Sequence, residues 1–167
     1  MSHCESNGYQ LDVLKTHPPT ESAWILTHRP VWGLVPVVNA GPLGPFELPI
    51  NATEQAAAQG RDLSEVAMVV SGHIHHFASF SFAGDRPAQL IVGTGGDVGE
   101  AGDTPRFLSG EVSLDRMDAK RFGFDRYGFL VLDKTADGWA GAFYDVHDRP
   151  IAACKLAQRA LSCQASK

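Results

Sequence analysis

The sequence predicts a mixed α/β domain, and three features support this prediction. Residues 23–27 and 66–70 are apolar runs with the composition of buried strands, and a histidine follows each within three residues. Between these runs, residues 51–60 are rich in alanine and favour a helix that ends at Gly60. Buried strands joined in this way bring their carboxyl ends to one edge of a sheet, where functional sites often form.

Length and composition are those of a folded domain. The 167 residues, 44% hydrophobic and 20% charged, are enough to bury a sizeable core. The formal net charge of −5 and the lack of a basic run argue against tight nucleic-acid binding through phosphates. We expect no membrane span, because no apolar stretch is long enough. The first residues do not resemble a signal peptide, so an export signal would have to lie upstream. Periplasmic, secreted and cytoplasmic locations all stay open.

The first predicted strand leads into two candidate functional residues. Residues 23–27 run directly into His28, and Pro30 then forces the chain out of the strand. Arg29, between them, could bind a phosphate oxygen with both arms of its guanidinium group, or it could pair with a carboxylate. Residues 34–49, which follow, hold six glycine or proline residues and predict a loop that borders a cleft.

The second predicted strand delivers three more histidines. It stops at Gly72, where the backbone can turn, and the alternation of side chains along an extended chain would point His73 and His75 toward one site. Neutral imidazoles suit zinc, manganese or iron. His76 would face the other way, either toward substrate or packed. The alternative to metal binding is that His28, His73 and His75 form a packed, hydrogen-bonded cluster.

The rest of the chain predicts further β-structure. Four more strands are expected in two pairs: residues 78–83 with 88–92, and residues 122–133 with 138–146, the second pair being a hairpin. Gly93-Thr94-Gly95-Gly96 is interpreted as a tight turn, because it lacks the lysine of a phosphate-binding P-loop. Residues 99–121 are polar and irregular, and they predict a lid or an insertion.

Three cysteines leave two possibilities open for the C-terminal segment, residues 150–167. Cys154 and Cys163 flank a helical-looking stretch, residues 155–161, and could form a local disulfide that leaves Cys4 over. The alternative is three free thiols in a cytoplasmic protein.

Two motifs relate the chain to a known family. The chain carries Thr27-His28-Arg29-Pro30 and, later, Gly72-His73-Ile74-His75. Together they resemble the last two signature motifs of the calcineurin-like metallophosphoesterases, and the resemblance extends from about residue 24 to residue 144. It implies part of a two-sheet β-sandwich flanked by helices, with two divalent ions (zinc, manganese or iron) that hydrolyse phosphate mono- or diesters.

The resemblance also implies roles for individual residues. His28 and His73 would bind one ion, and His75 would bind the other or stand beside it. Arg29 and His76 are the candidates for contact with the phosphoester substrate.

The chain departs from the family pattern before His28. The motifs Asp-x-His, Gly-Asp-x-x-Asp and Gly-Asn-His-Asp/Glu, which supply the carboxylate ligands, are missing from the polar residues 1–21. Two partial matches come later, in the wrong order, and we interpret both as turns: Asp145-Val146-His147 and Gly96-Asp97-Val98-Gly99-Glu100. Neutral histidines alone cannot hold two dications about 3.5–4 Å apart. We therefore expect the C-terminal portion of a metallophosphoesterase domain, inactive alone, with at most one weakly bound Zn²⁺ or Mn²⁺.

Two expectations concern partners. A domain of this kind would expose a sheet edge or core face that an N-terminal half would cover, which predicts aggregation or dimerisation of the isolated chain. The alternative function, from a different class, is a non-catalytic sandwich domain that acts as a binding or assembly module.

Overall fold

In a computed structural model, residues 13–20, 22–37, 46–96 and 107–166 are described, and they form mostly β-structure. Their strands are grouped into sheets of six, four and two strands. In chain order the strands are β1 (Ala23–Thr27), β2 (Leu34–Val37), β3 (Phe46–Pro49), β4 (Val66–Ser71), β5 (Phe77–Phe82), β6 (Ala88–Val92), β7 (Phe107–Leu114), β8 (Met117–Phe124), β9 (Gly128–Thr135), β10 (Gly138–Asp145), β11 (Pro150–Ala157) and β12 (Ala160–Ala165).

The six-stranded sheet has the order β1-β4-β6-β5-β8-β7 and contains parallel strands at one side. Both β1 and β6 run parallel to β4, whose sequence VAMVVS is largely buried. Strands buried on both faces are near-continuous apolar runs, which explains why the sequence predicts them. The remaining strands β5, β8 and β7 pair antiparallel. The strands predicted at residues 23–27, 66–70, 78–83 and 88–92 are confirmed, but β1 is a half-buried edge strand rather than the buried strand predicted.

The four-stranded sheet, ordered β12-β11-β10-β9, is antiparallel and shares an apolar core with the six-stranded sheet. Phe77 and Phe124 of the larger sheet stack with ring centroids 4.7 Å apart. Phe143 of β10 meets Phe124 edge to face at 5.0 Å, a favoured arrangement of aromatic rings. Two sheets packed face to face agree with the predicted sandwich. The hairpin predicted from residues 122–133 and 138–146 is confirmed for β9 and β10, but its first strand begins at Gly128, and residues 122–124 belong to β8 of the six-stranded sheet.

A second apolar cluster covers the other face of the six-stranded sheet. Val31 and Trp32, in the segment after β1, pack there with Phe80 and Ile91 of the sheet. Ala58 of the helix joins the same cluster. The segment that follows His28 is therefore held on the sheet by burial of its own apolar side chains.

One predicted helix is confirmed at Ala52–Ala58, between β3 and β4. Gly60 follows it with φ 74°, a left-handed conformation that glycine adopts at low cost. A helical turn at residues 13–16 is the other helical piece of the described chain. Flanking helical layers, as in the predicted α/β class, stay a prediction.

The C-terminal segment forms a β-hairpin, so the helix predicted over residues 155–161 is wrong. β11 and β12 pair antiparallel, and Gln158 at the turn between them has φ 53°. Ala152, Cys154 and Leu156 alternate into the core between the sheets. A burial period of two residues specifies a strand, whereas a helix would bury residues three or four apart.

Cys154 and Cys163 form a disulfide across this hairpin. They are directly paired residues of β11 and β12, with Cα atoms 4.1 Å apart. The predicted local disulfide is therefore present in the structure. Cys4 lies outside the described residues.

A hairpin also replaces part of the irregular segment predicted over residues 99–121, so that prediction is wrong from residue 107 onward. β7 and β8 are joined at Asp115 and Arg116, both left-handed, as a tight hairpin turn requires. β7 is an edge strand with mostly exposed residues, so it lacks the apolar run that marks a buried strand. Residues 97–106 lie outside the described part of the chain.

A short ribbon occupies part of the loop predicted over residues 34–49, so a loop throughout is wrong. β2 and β3 pair antiparallel and form a sheet of their own. Each contains a proline, which a two-stranded ribbon tolerates because its outer edge needs no N–H partner. Residues 38–45 are not among those described.

Candidate metal centre

The predicted ligands His28 and His73 meet at the carboxyl edge of the six-stranded sheet. β1 and β4 are parallel neighbours with Thr27 opposite Ser71, so the chain leaves both strands side by side. Nε2 of His28 lies 3.1 Å from Nδ1 of His73, and the ring centroids are 4.9 Å apart. Both side chains are exposed, so a ligand can reach them from solvent.

The separation of these two nitrogens fits a shared metal ion. Metal–nitrogen bonds of about 2.0–2.1 Å put two ligands of a tetrahedral ion about 3.3 Å apart, and two adjacent ligands of an octahedral ion about 3.0 Å apart. The 3.1 Å between Nε2 of His28 and Nδ1 of His73 lies between these values. The distance is compatible with a shared ion, and it is also that of an ordinary N–H···N hydrogen bond between the two rings.

The loop from Gly72 to His76 has a constrained backbone. His73 has φ 65°, a left-handed conformation that residues other than glycine adopt at a cost and that recurs at functional sites. The N–H of Ile74 donates to the carbonyl of Gly72, and that of His76 donates to the carbonyl of Ile74, both at 2.8 Å. Two consecutive three-residue turns therefore shape the segment. A Cβ at Gly93 would lie 1.9 Å from the Ile74 carbonyl oxygen, so only glycine lets β6 end this close to the loop.

His75 is exposed, and the structure does not bring it into a three-ligand group with His28 and His73. β4 ends at Ser71, so the strand-like alternation of side chains predicted for His73 and His75 is wrong. Among the described residues, no group of three His, Cys, Asp or Glu could hold a metal ion. The charge of His75 still contributes to lowering the pKa of His73, so the two rings interact electrostatically. Metal ligation by His75 stays a prediction.

The electrostatic surroundings favour a neutral ring at His73. Although the His73 side chain is largely exposed, its partial desolvation lowers the pKa of His73 most, and the charges of Arg29, His28 and His75 lower it further. Only a neutral imidazole offers a lone pair to a metal ion, so a lowered pKa favours ligation. Arg29 is exposed. Burial raises the pKa of the Glu54 carboxyl group, and the positive charge of Arg29 partly offsets this by lowering the same pKa. The two partners predicted for Arg29, a phosphate oxygen and a carboxylate, both stay predictions.

His76 is half-buried and has its own charged neighbours. Burial lowers its pKa, while the negative charges of Asp125 and Glu47 raise it. Glu47 also forms an ion pair with Arg121. This placement agrees with a packed histidine, and contact with substrate stays a prediction.

A buried amide that the sequence did not single out connects the two strand ends. Gln89 of β6 is 0% exposed, and its Oε1 accepts hydrogen bonds from the backbone N–H groups of Val31 at 3.1 Å and Trp32 at 3.2 Å. Its Nε2 donates to the hydroxyl oxygen of Ser71 at 2.9 Å. The signal available in the sequence was one polar residue inside the apolar run Ala88–Val92.

The first partial match, Asp145-Val146-His147, forms a turn as predicted. The Asp145 carboxylate accepts hydrogen bonds from the backbone N–H of His147 at 2.8 Å and from that of Arg149 at 3.0 Å. The Arg149 side chain adds a third at 2.8 Å. These bonds occupy the carboxylate within the β10–β11 turn. Asp97 and Glu100 of the second partial match lie outside the described residues.

The glycine-rich segment after β6 bends at Gly95 and Gly96, and the tight turn predicted for it stays a prediction, because residues 97–106 are outside the described ranges. Thr94 is buried, and its hydroxyl donates to the Gly128 carbonyl at 2.9 Å, while the Gly128 N–H donates back to the Thr94 carbonyl at 3.2 Å. Gly96 has φ 109°, which only glycine adopts readily. These contacts connect the end of β6 to the start of β9.

Comparison of the chain with protein-family models, with curated proteins and with solved structures found no match. Within the described ranges, no helix has both the length and the apolar character needed to cross a bilayer. The geometry of the histidine pair and the two motifs around it are therefore the observations on which a function can be proposed.

Proposed function

We propose that this chain carries the histidine half of a metal-dependent phosphoesterase centre of the calcineurin-like type. The carrying observation is the 3.1 Å between Nε2 of His28 and Nδ1 of His73, where two parallel strands end. The order of the Thr-His-x-Pro and Gly-His-x-His motifs supports it, and so does the packing of two sheets around one apolar core. Zinc, manganese and iron are the ions that imidazole ligands suit.

The residues of the site have separate roles in this proposal. A bound divalent ion would supply a Lewis acid that lowers the pKa of water and neutralises charge on phosphoryl oxygens. His28 and His73 hold the ion as neutral rings, and the lowered pKa of His73 favours that state. Arg29 binds an oxygen of a phosphate mono- or diester, because its guanidinium group is exposed beside His28. His75 adds a ligand if its ring turns toward the pair.

The proposal limits what the described residues can do by themselves. Two dications close together need carboxylates between them, and the described chain joins no third acidic or histidine ligand to the pair. We expect one weakly bound ion and no efficient hydrolysis. Full activity would require carboxylates from outside the described residues or from another chain.

The test is zinc binding by isothermal titration calorimetry. We expect one weak site per chain for the unchanged protein, because two imidazoles are an incomplete ligand set. His28→Ala and His73→Ala should each abolish measurable binding, and His75→Ala should weaken it less.

His147→Ala is the matched control, because this exposed histidine lies in the β10–β11 turn and uses only its backbone N–H in the turn. It should leave zinc binding unchanged. The proposal is overturned if the unchanged chain binds no zinc, or if His28→Ala and His73→Ala bind as tightly as His147→Ala does.

A non-catalytic binding or assembly module is the second candidate. It is favoured by the lack of a three-ligand group in the described chain and by the edge strand β1, whose Leu26 is 77% exposed. Hydrolysis of bis-(p-nitrophenyl) phosphate with Mn²⁺ separates the two candidates. Turnover that His73→Ala removes would exclude the module, whereas self-association of a chain that binds no zinc would favour it.

A further inference from the structure

We propose that Gln89 is a positioning residue that sets the spacing of His28 and His73 by bonding to both strand exits at once. This inference rests on the proposed metal site and deepens it. Gln89 touches neither histidine in the hydrogen-bond network, so its effect is transmitted through the backbone segments that carry them.

The carbonyl end of the amide holds the segment that follows His28. Oε1 of Gln89 accepts from the N–H of Val31 and from that of Trp32, at 3.1 and 3.2 Å. Pro30 prevents this stretch from continuing β1, so these two N–H groups have no strand partner to bond. The amide oxygen of Gln89 supplies the hydrogen-bond acceptor that the carbonyl groups of a neighbouring strand would otherwise supply.

The amino end of the same amide holds the segment that precedes His73. Nε2 of Gln89 donates to Oγ of Ser71 at 2.9 Å, and it lies 3.3 Å from the carbonyl oxygen of Val69. Ser71 is the last residue of β4, so the bond is two residues from His73. One side chain of the third strand, β6, held by hydrogen bonds at its amide, therefore connects the exits of β1 and β4.

The amide is chemically matched to this place. Two backbone N–H groups on one side need an acceptor, and a hydroxyl and two carbonyls on the other side accept hydrogen bonds, which fixes the orientation of the amide. Leucine has a similar volume but would leave the N–H groups of Val31 and Trp32 buried without partners. The segment after β1 would then shift toward water to satisfy them.

The experiment compares Gln89→Leu with Leu90→Ala, a control on the same strand. Leu90 is equally buried but faces the core between the two sheets, so its loss lowers stability without touching either strand exit. We expect Gln89→Leu to weaken zinc binding by up to about tenfold, the low end of the loss that follows removal of a direct hydrogen-bond partner of a ligand, because Gln89 acts on the ligands only through the backbone. Leu90→Ala should keep the zinc affinity of the unchanged protein while it lowers the melting temperature.

Ser71→Ala serves as a milder variant if Gln89→Leu does not fold, because it removes only one partner of the amide. We expect Ser71→Ala to lose less zinc affinity than Gln89→Leu does, and we expect no such loss in Leu90→Ala. The inference is overturned if Gln89→Leu binds zinc as tightly as the unchanged protein. If Gln89→Leu does not fold, the same outcome in Ser71→Ala overturns it. Equal losses in those variants and in the control also overturn it, because the effect would then be one of general stability.

A second readout separates this inference from the metal site on which it rests. In the metal-free protein, the ¹⁵N shifts of the imidazole nitrogens report the hydrogen bond between His28 and His73. Gln89→Leu, or Ser71→Ala where Gln89→Leu does not fold, should weaken that bond, and Leu90→Ala should not. If the unchanged chain binds no zinc but Gln89→Leu changes the histidine ¹⁵N shifts and Leu90→Ala does not, the proposed function fails while the positioning role stands. If the substitution at Gln89, or at Ser71 in its place, leaves the histidine shifts unchanged, the positioning role is overturned.

Discussion

At the scale of single residues, the backbone of His73 is the most informative feature. Its φ of 65° costs a residue with a side chain on the order of 1 kcal/mol or more, and glycine would adopt it freely. The turns around Ile74 and the close approach of Gly93 maintain the conformation. Six other non-glycine residues of the described chain also have a positive φ, so the role proposed for the imidazole ring depends on its 3.1 Å approach to His28 as well.

The Asp145 turn yields a prediction about pH. Burial raises the pKa of Asp145, but hydrogen bonds from Arg149 and from the backbone of His147 outweigh it and lower the pKa from 3.8 to about 2. A carboxyl group with a depressed folded-state pKa stabilises the fold above its unfolded pKa and loses that contribution as the pH falls through the folded value. Asp145→Asn should therefore melt lower at neutral pH and show a shallower loss of stability between about pH 4 and pH 2.

Thermal melts at several pH values, monitored by circular dichroism, measure this slope. Asp148→Asn is the control, because Asp148 lies in the same turn, is exposed, and contributes its backbone N–H. Equal slopes for Asp145→Asn and the unchanged protein would contradict the prediction.

At the scale of elements, the β11–β12 hairpin carries a covalent cross-link. β12 is an edge strand of the four-stranded sheet, and Leu161 is its residue in the core between the sheets. The disulfide joins it to β11 at directly paired positions. Because disulfides persist mainly in oxidising compartments, a periplasmic or secreted location is our proposal for this protein.

Reduction of the Cys154–Cys163 disulfide should lower the stability of the protein. Its two cysteines are 9 residues apart in the chain. Closing a loop of this length restricts the unfolded chain by roughly 2–3 kcal/mol in the loop-entropy account. We expect a lower melting temperature after treatment with dithiothreitol. The double variant Cys154→Ala/Cys163→Ala should melt at the same temperature with and without the reductant; a reductant effect of similar size in both proteins would contradict this.

At the scale of the whole molecule, β1 is the exposed margin of the larger sheet. It pairs with β4 on one side and is the first strand of the sheet order, so its other edge has no strand partner in the described chain. Leu26 points from this strand with 77% of its surface exposed. An apolar edge strand of this kind can pair with another chain.

We therefore predict self-association through β1. Size-exclusion chromatography with light scattering should detect dimers or larger species of the unchanged protein. Leu26→Lys should shift the population toward the monomer, because a charge on an edge strand opposes pairing. Val146→Lys is the control, since Val146 is 66% exposed but lies in a turn. A stable monomer of the unchanged chain would contradict the prediction.

Local sequence patterns are sufficient to predict the elements that form apolar runs or that have a strong helix composition. The parallel strands β1, β4 and β6 are largely apolar runs, interrupted in β6 by Gln89, and the helix Ala52–Ala58 follows from its alanines and from Gly60. The outer hairpin of β7 and β8 has no such pattern, because an edge strand exposes most of its side chains. Within the β11–β12 hairpin, residues 155–161 predict a helix because their small and mixed side chains fit either period when the core is unknown.

The candidate site likewise has features that the sequence predicts and features that only the tertiary structure shows. Its histidines could be named from the two motifs, since each follows an apolar run and a residue that turns the chain. Their 3.1 Å approach, across 45 positions of sequence, depends on the register between β1 and β4. The bonds of Gln89 to both exits depend on β6 lying beside β4. Sequence patterns report the burial of each residue within its own segment, whereas distances between segments depend on strand pairing over long separations, which no local pattern encodes.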